Sequence, residues 1–388
     1  MHLHKCVCNA CQLGYGSYIR QILRLMRWVM VMLMLITALG ASASQDADTV
    51  SVDTIRKAHE VSRLRETLRG FDETEDQWIE PQHYEFQVMG QLTRTYESFT
   101  LGSNGRSITL SPDGQTKVGP YFGWRWLFFG YTFDIKNIGF GSDGVKKEFD
   151  LSIYSSQIGV DLYYRRTGSD YKIREVDLKS DIDDEIFEGM PFAGVNVGIT
   201  GVSAYYIFNH RRFSYPAAFA QSTCQKVSCG SWMAGAGYIK NTLDLDHSKL
   251  QETLSERLGQ EVKLDSGIMF KSIKYYDFMF SGGYAYNWVF AKNWLFCASL
   301  QMALAYKTSY GRVADEKTGF DIGKFNIDGI GRFGMVYNNT RWFAGWSAIL
   351  RTNNYHTSRF KADNIFGSFN AYVGYNFKLK KKYKKQKG

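Results

Sequence analysis

Residues 369–379 read FNAYVGYNFKL. Taken alternately, Phe369, Ala371, Val373, Tyr375, Phe377 and Leu379 form one set, and Asn370, Tyr372, Gly374, Asn376 and Lys378 the other. Successive side chains of a β-strand point to opposite faces. This segment therefore folds as a strand with one apolar and one polar side. Its length matches the roughly 9–11 residues a tilted strand needs to cross a hydrocarbon layer.

The same period of two continues upstream. Trp342, Ala344, Trp346, Ala348 and Leu350 alternate with Gly345, Ser347 and Arg351. Trp294, Phe296, Ala298, Leu300, Met302, Leu304 and Tyr306 alternate with Cys297, Ser299, Gln301, Ala303, Ala305 and Lys307. Tyr276, Phe278, Phe280, Tyr284, Tyr286, Trp288 and Phe290 oppose Asp277, Ser281, Gly283, Ala285 and Asn287. From this pattern Asp277, Ser299, Gln301, Asn370 and Asn376 are candidates for the inner, lumen-facing side. Strand candidates fall near 83–99, 105–111, 116–124, 126–136, 148–165, 170–178, 193–208, 211–224, 230–241, 268–290, 293–308, 320–337, 341–352 and 365–379. Allowing for bent and fused strands, we expect an all-β fold, a closed antiparallel transmembrane β-barrel of about 12 strands (range 10–14) and even in number. Closure follows because lipid satisfies no backbone polar group.

Composition agrees. The 388 residues include 25 Tyr, 27 Phe, 9 Trp and 37 Gly but only 5 Pro. Few prolines suit a chain whose N–H groups are spent on ladders, and abundant aromatics suit interfacial girdles. Mean hydropathy is −0.30, which excludes a bundle of membrane helices, whereas an alternating barrel averages to a soluble-looking value.

The net charge of +9 is unevenly placed. Residues 1–43 hold Lys5, Arg20, Arg24 and Arg27 without an acid, and the tail 378–388 holds seven lysines. The body between is 36 basic against 38 acidic residues, so no basic face for nucleic acid is expected.

Arg27 precedes the apolar run 28–39 (WVMVMLMLITAL), followed by Gly40 and Ala41-Ser42-Ala43. This is the charged, apolar and small-residue order of an export signal, and cleavage after Ala43 is expected. Residues 1–25 read as an upstream extension, with Met26 an alternative start. Their Cys6, Cys8 and Cys11 lack zinc-site spacing and would leave with the leader. The expected organisation is 1–43 extension and signal peptide, 44–81 a periplasmic helical and acidic segment, 82–379 the barrel, and 380–388 a basic tail. Within 44–81, Asp53 would cap a helix through Leu68, with Gly70 ending it. Residues 242–266 would hold a surface helix aligning Leu250, Leu254 and Leu258, capped by Ser248 with Gln251. The acidic stretch 179–191 reads as a solvated loop rather than a calcium site, since it lacks the spaced Asp/Gly pattern.

No catalytic constellation, metal-ligand spacing or cofactor fingerprint emerges, so catalytic, cofactor-binding and metal residues are all expected to be none. Cys224 and Cys229 flank Gln225-Lys226-Val227-Ser228, a candidate hairpin turn, and a cross-strand disulfide is one option in an oxidising compartment. Cys297 would be a small, unpaired inward residue.

Several stretches resemble an uncharacterised Bacteroidota outer-membrane β-barrel family, domain of unknown function family 4421. They are Ser111-Pro112-Asp113-Gly114 through Tyr121-Phe122-Gly123-Trp124-Arg125-Trp126-Leu127, Gly159-Val160-Asp161-Leu162-Tyr163-Tyr164, and Tyr206-Ile207-Phe208-Asn209. Arg212-Phe213-Ser214-Tyr215-Pro216-Ala217-Ala218-Phe219, with Gln221, Gln225, Ser228, Gly230 and Ser231, looks most like it. The resemblance covers about 82–379 and implies an outer-membrane barrel with no catalytic residues to transfer. One departure is that eleven residues follow Phe377, where such chains often end on an aromatic.

The expected protein is therefore a non-enzymatic cell outer-membrane barrel: a small porin-like pore, or a structural or envelope-assembly protein. Its expected partners are outer-membrane lipid and lipopolysaccharide, with the barrel-assembly machinery during insertion. The alternatives are an outer-membrane lipid-modifying enzyme and a secreted soluble β-sandwich.

Overall fold

The computed structural model describes residues 74–124, 127–130, 133–134, 147–166, 171–177, 184–264, 269–313, 324–356 and 361–384. The chain divides into units Met1–Gly70 and Phe71–Gly388, and the described residues all lie in the second. The export signal, its cleavage site and the helix expected over 53–68 lie outside them.

The N-terminal half opens with β1 (Ile79–Pro81), β2 (Tyr84–Ser103), β3 (Arg106–Pro112), β4 (Gln115–Trp124), β5 (Leu127–Gly130) and β6 (Phe133–Asp134). It continues with β7 (Lys147–Tyr154), β8 (Ile158–Arg166), β9 (Tyr171–Asp177), β10 (Pro191–Phe192) and β11 (Val195–Ile207). Then come α1 (Tyr215–Phe219), β12 (Thr223–Gln225), β13 (Cys229–Leu245) and α2 (His247–Leu258). The chain ends in β14 (Phe270–Ala291), β15 (Trp294–Val313), β16 (Lys324–Asn338), β17 (Trp342–His356), β18 (Lys361–Leu379) and α3 (Lys381–Lys384).

The long strands make one antiparallel circuit. From β7 it passes through β8, β11, β13, β14, β15, β16, β17 and β18 to β2, then to β4, which carries β5 and β6. With β5 and β6 sharing one position, this gives twelve strand positions. β18 pairs with β2 along its length, from Lys361↔Gly102 to Leu379↔Tyr84. Among the described residues no ladder joins β5 to β7, so the hydrogen-bonded circuit is open at that one seam. The wrapping is clear from the interior. Asp161 on β8 meets Arg332 on β16, although four strands stand between them in the sheet.

The two faces decide the class. Phe280 is 73% exposed and Leu300 66%, and Trp232, Met302, Ile327 and Val373 also face outward. The opposite parity is buried and polar: Asp277, Asn287, Ser299, Gln301, Asp328 and Asn376. A soluble sandwich places its apolar side inward. This sheet does the reverse, as a transmembrane β-barrel must.

Several strands exceed the span requirement. β14 has 22 residues and β2 and β15 have 20 each, against about 10 for a tilted crossing. Their extra length lies at the distal end, away from where β2 starts and β18 stops. There β2 turns into β3 through Asn104-Gly105, both with positive φ (49° and 76°), the Asn-Gly pairing that suits a two-residue hairpin. β3, β9, β10, the turn Asp184–Phe187 and α2 join the distal strand ends in an apolar cluster that buries Phe99, Leu110, Ile173, Phe187, Leu250 and Leu254.

Three local expectations change. Residues 211–224 are not one strand, and only Thr223 and Cys224 at their end belong to one, β12. Ser214 accepts from Ala217 N at 3.2 Å, and Pro216 in the first turn suits a helix start, so α1 forms instead. Residues 148–165 are two strands, β7 and β8, joined by a turn in which Ser155 Oγ accepts from Ile158 N at 2.9 Å. The helix expected in 242–266 is shorter, because β13 runs on to Leu245. Its cap is Asp246, accepting from Lys249 N at 3.1 Å, rather than Ser248 with Gln251. Leu250 and Leu254 do share its buried face, and Gly259 ends it in the left-handed region. No described helix is long and apolar enough to cross a membrane, which leaves crossing by strands untouched.

Candidate functional site: the barrel interior

Inward parity brings charged side chains together across the barrel. Toward the distal end, the Lys307 ammonium is fully buried. It donates to Asn354 O at 2.8 Å and to Asn353, and pairs with Asp328 at 3.1 Å and Asp277 at 3.9 Å. Asp277 in turn accepts from Asn241 Nδ2 (2.9 Å) and Asn353 Nδ2 (3.2 Å). This network ties β13, β14, β15, β16 and β17 together, and its charges are desolvated, so each needs the others.

Nearer the proximal end, Asp161 binds Arg332 directly and Arg351 at 3.5 Å, and it accepts from Ser152 Oγ at 2.8 Å. Arg332 lies over the Tyr205 and Tyr215 rings (5.3 and 5.8 Å), and Arg351 over Tyr163 (4.6 Å). Tyr205 and Tyr163 lie over glycines of the adjacent strand: a Cβ at Gly159 would strike the Tyr205 ring, and one at Gly201 the Tyr163 ring. Glycine is needed at both positions for this close approach.

The proximal mouth is filled by the segment between β11 and β13. α1 lies against β16, where a Cβ at Gly334 would come 3.3 Å from the Phe219 ring. Asn287 Nδ2 donates to Ser214 O (2.8 Å) and to Gln225 Oε1 (3.0 Å), and Gln221 Nε2 donates to the Tyr372 hydroxyl (2.8 Å). β12 pairs with β1, so the start of the barrel clamps this plug. A cavity of about 410 Å³ remains between the plug and the arginine pair.

The five inward candidates fall as follows. Asp277 belongs to the distal network, and Asn370 accepts from Gln91 Nε2 (3.0 Å) and Thr93 Oγ1 (2.8 Å) at the cavity wall. Asn376 donates to Thr340 O at 2.8 Å, and Ser299 and Gln301 are buried on β15. The residues that organise the interior, Asp161, Lys307, Asp328, Arg332 and Arg351, are not among those five candidates. A charged residue at inward parity is the signal that marks all five. The bridge between Cys224 and Cys229 is not formed, and both thiols are free. β12 pairs with β1 and β13 with β14, so the two cysteines do not face each other across a hairpin. Cys297 is buried facing inward. Among the described residues no His, Cys, Asp and Glu group could hold a metal.

These features define a transmembrane-type antiparallel barrel with a plugged, charge-bonded interior. The family described as "Domain of unknown function (DUF4421)" matches residues 73–377, and the chain belongs to it. No curated protein matches. Similar solved structures include the outer-membrane protease OmpT from Escherichia coli, at 7% identity and TM-score 0.35 over 76% of this chain and 97% of that one. Another is the translocator domain of the autotransporter NalP from Neisseria meningitidis (9%, TM-score 0.30, 85% and 100%). A third is the outer-membrane protein OprG from Pseudomonas aeruginosa (10%, TM-score 0.24, 76% and 98%). Identities this low carry over no residue's role.

Proposed function

We propose that this protein is an integral outer-membrane barrel with a structural or envelope-assembly role, non-enzymatic, and closed to free diffusion. The observation that carries this reading is the inversion of the faces: an apolar exterior around Phe280, Leu300 and Ile327, and an interior cross-linked by Asp161–Arg332 and the Lys307 network. Supporting closure, α1 and its hydrogen bonds occupy the proximal mouth and the α2 cluster caps the distal one. The expected export signal supports the envelope location, and outer-membrane lipid and lipopolysaccharide are the surroundings such an exterior requires.

Planar-bilayer recordings test it. The purified protein is expected to insert and give no stable conductance. Steady open levels would favour the pore reading instead. Extraction by carbonate without detergent would overturn the membrane assignment, and labelling by a fluorophosphonate probe would favour the lipid-modifying enzyme.

A further inference from the structure

We propose that the interior cavity beneath the plug is a binding site for a small hydroxylated organic anion, a carboxylate or phosphate ester of monosaccharide size. The inference stands on the wall chemistry and is independent of whether the barrel lies in a membrane.

One wall carries Arg332 and Arg351, which share a single carboxylate, Asp161. Two guanidiniums on one carboxylate leave a positive charge that these three residues do not balance. Arg332 is 5% exposed, and Arg332 and Arg351 both line the cavity. A buried cation without a full countercharge is costly, and the planar guanidinium fork fits carboxylate or phosphate oxygens. Lys117 and Arg165 line the same space, each with an interaction of its own. Asp161 is the one carboxylate among the described lining residues.

Beside the arginines, β17, β18 and β2 bring hydroxyls and amides to the lining, Ser347, Ser368, Asn370, Gln91 and Thr93, with Lys117 of β4 next to Thr93. Gln91, Thr93 and Asn370 already hold one another at 2.8–3.0 Å, which preorganises them. Asn and Gln amides and hydroxyls retain capacity for further bonds. At about 410 Å³ the cavity lies within the range for small-molecule sites, roughly 300–1,000 Å³. Cations and hydroxyl-binding groups side by side on one lining select a ligand that is both anionic and hydroxylated. Phe219, Ala220 and Gln221 of the plug line the same space.

Isothermal titration of the full-length protein in non-ionic detergent with glucuronate, glucose 6-phosphate and glucose tests this. At least one anion is expected to bind, with glucose far weaker. Glucuronate alone identifies a carboxylate site, and glucose 6-phosphate alone a phosphate site. Arg351→Gln should weaken binding roughly ten- to a hundredfold, the loss of one charge-assisted interaction, with unchanged far-ultraviolet circular dichroism. Binding of neither anion, equal binding of glucose, or wild-type affinity in a folded Arg351→Gln variant would overturn the proposal. If that variant does not fold, the contrast between the anions and glucose decides.

Discussion

Replacing Lys307 with Met removes the ammonium that pairs with two buried carboxylates, Asp277 and Asp328. Lys307 and Asp277 are fully buried and Asp328 nearly so. In the variant both carboxylates keep their amide partners, Asn241 and Asn353 for Asp277 and the Asn354 N–H for Asp328, and lose their countercharge. Removing one partner of a buried ion pair costs about 3–5 kcal/mol, a hundred- to a few-thousandfold in the unfolding equilibrium. The methylene stem is retained in Met, so little packing is lost. Urea unfolding in detergent micelles, followed by tryptophan fluorescence, measures the difference. The triple variant Lys307→Met, Asp277→Asn, Asp328→Asn discharges the whole cluster and is expected to recover most of the loss, because an uncharged isosteric replacement avoids desolvated charge. A single variant within about 0.5 kcal/mol of wild type, the range of ordinary surface changes, would refute the network's role. So would a triple variant no more stable than the single one.

Three further outcomes are expected. Phe280→Lys places a charge at the most exposed lipid-facing position of β14. It should cost about 2–4 kcal/mol of stability in vesicles, and an unchanged folded fraction would count against the exterior's contact with lipid. The Lys172 ammonium, hydrogen-bonded to Asp113, and Arg174 beside it hold that carboxyl below the usual carboxylate range. A lowered folded value means the contribution is present above the unfolded pKa of about 3.9 and is lost as pH falls through the folded one. Asp113→Asn should therefore cost at most about 1 kcal/mol at neutral pH, the pair being exposed. That difference should vanish in acid, and one that persists unchanged would exclude the pairing. Burial pushes the Cys224 thiol up to about 12, whereas Cys229 is less buried. Maleimide should label Cys229 first and Cys224 only on unfolding, with no reductant needed, and a requirement for reductant would restore the disulfide.

Much of this was legible along the chain. The alternation in 276–290, 294–307 and 369–379 arises from nearest-neighbour geometry, since a strand's two faces follow from the backbone alone. Which residues share a face, that one face suits lipid, and that about a dozen such strands are present are properties of local pattern. The plug was not legible. Residues 211–224 alternate well enough to read as a strand, and only Ser214 and Pro216 hinted at α1. The missing bridge between Cys224 and Cys229 has the same origin, because β12 pairs with residues more than a hundred positions earlier.

The inner site lay furthest from sequence reading. Inward parity marks Asp161, Arg332 and Arg351 each as polar and buried, but nothing local says that they meet. Their strands stand apart in the sheet, and contact comes only when the sheet curls around its own interior. Sequence determined the strands and their two faces, because those depend on one backbone period. Tertiary structure alone decided which inward side chains oppose one another, because that depends on curvature and on the stagger between strands.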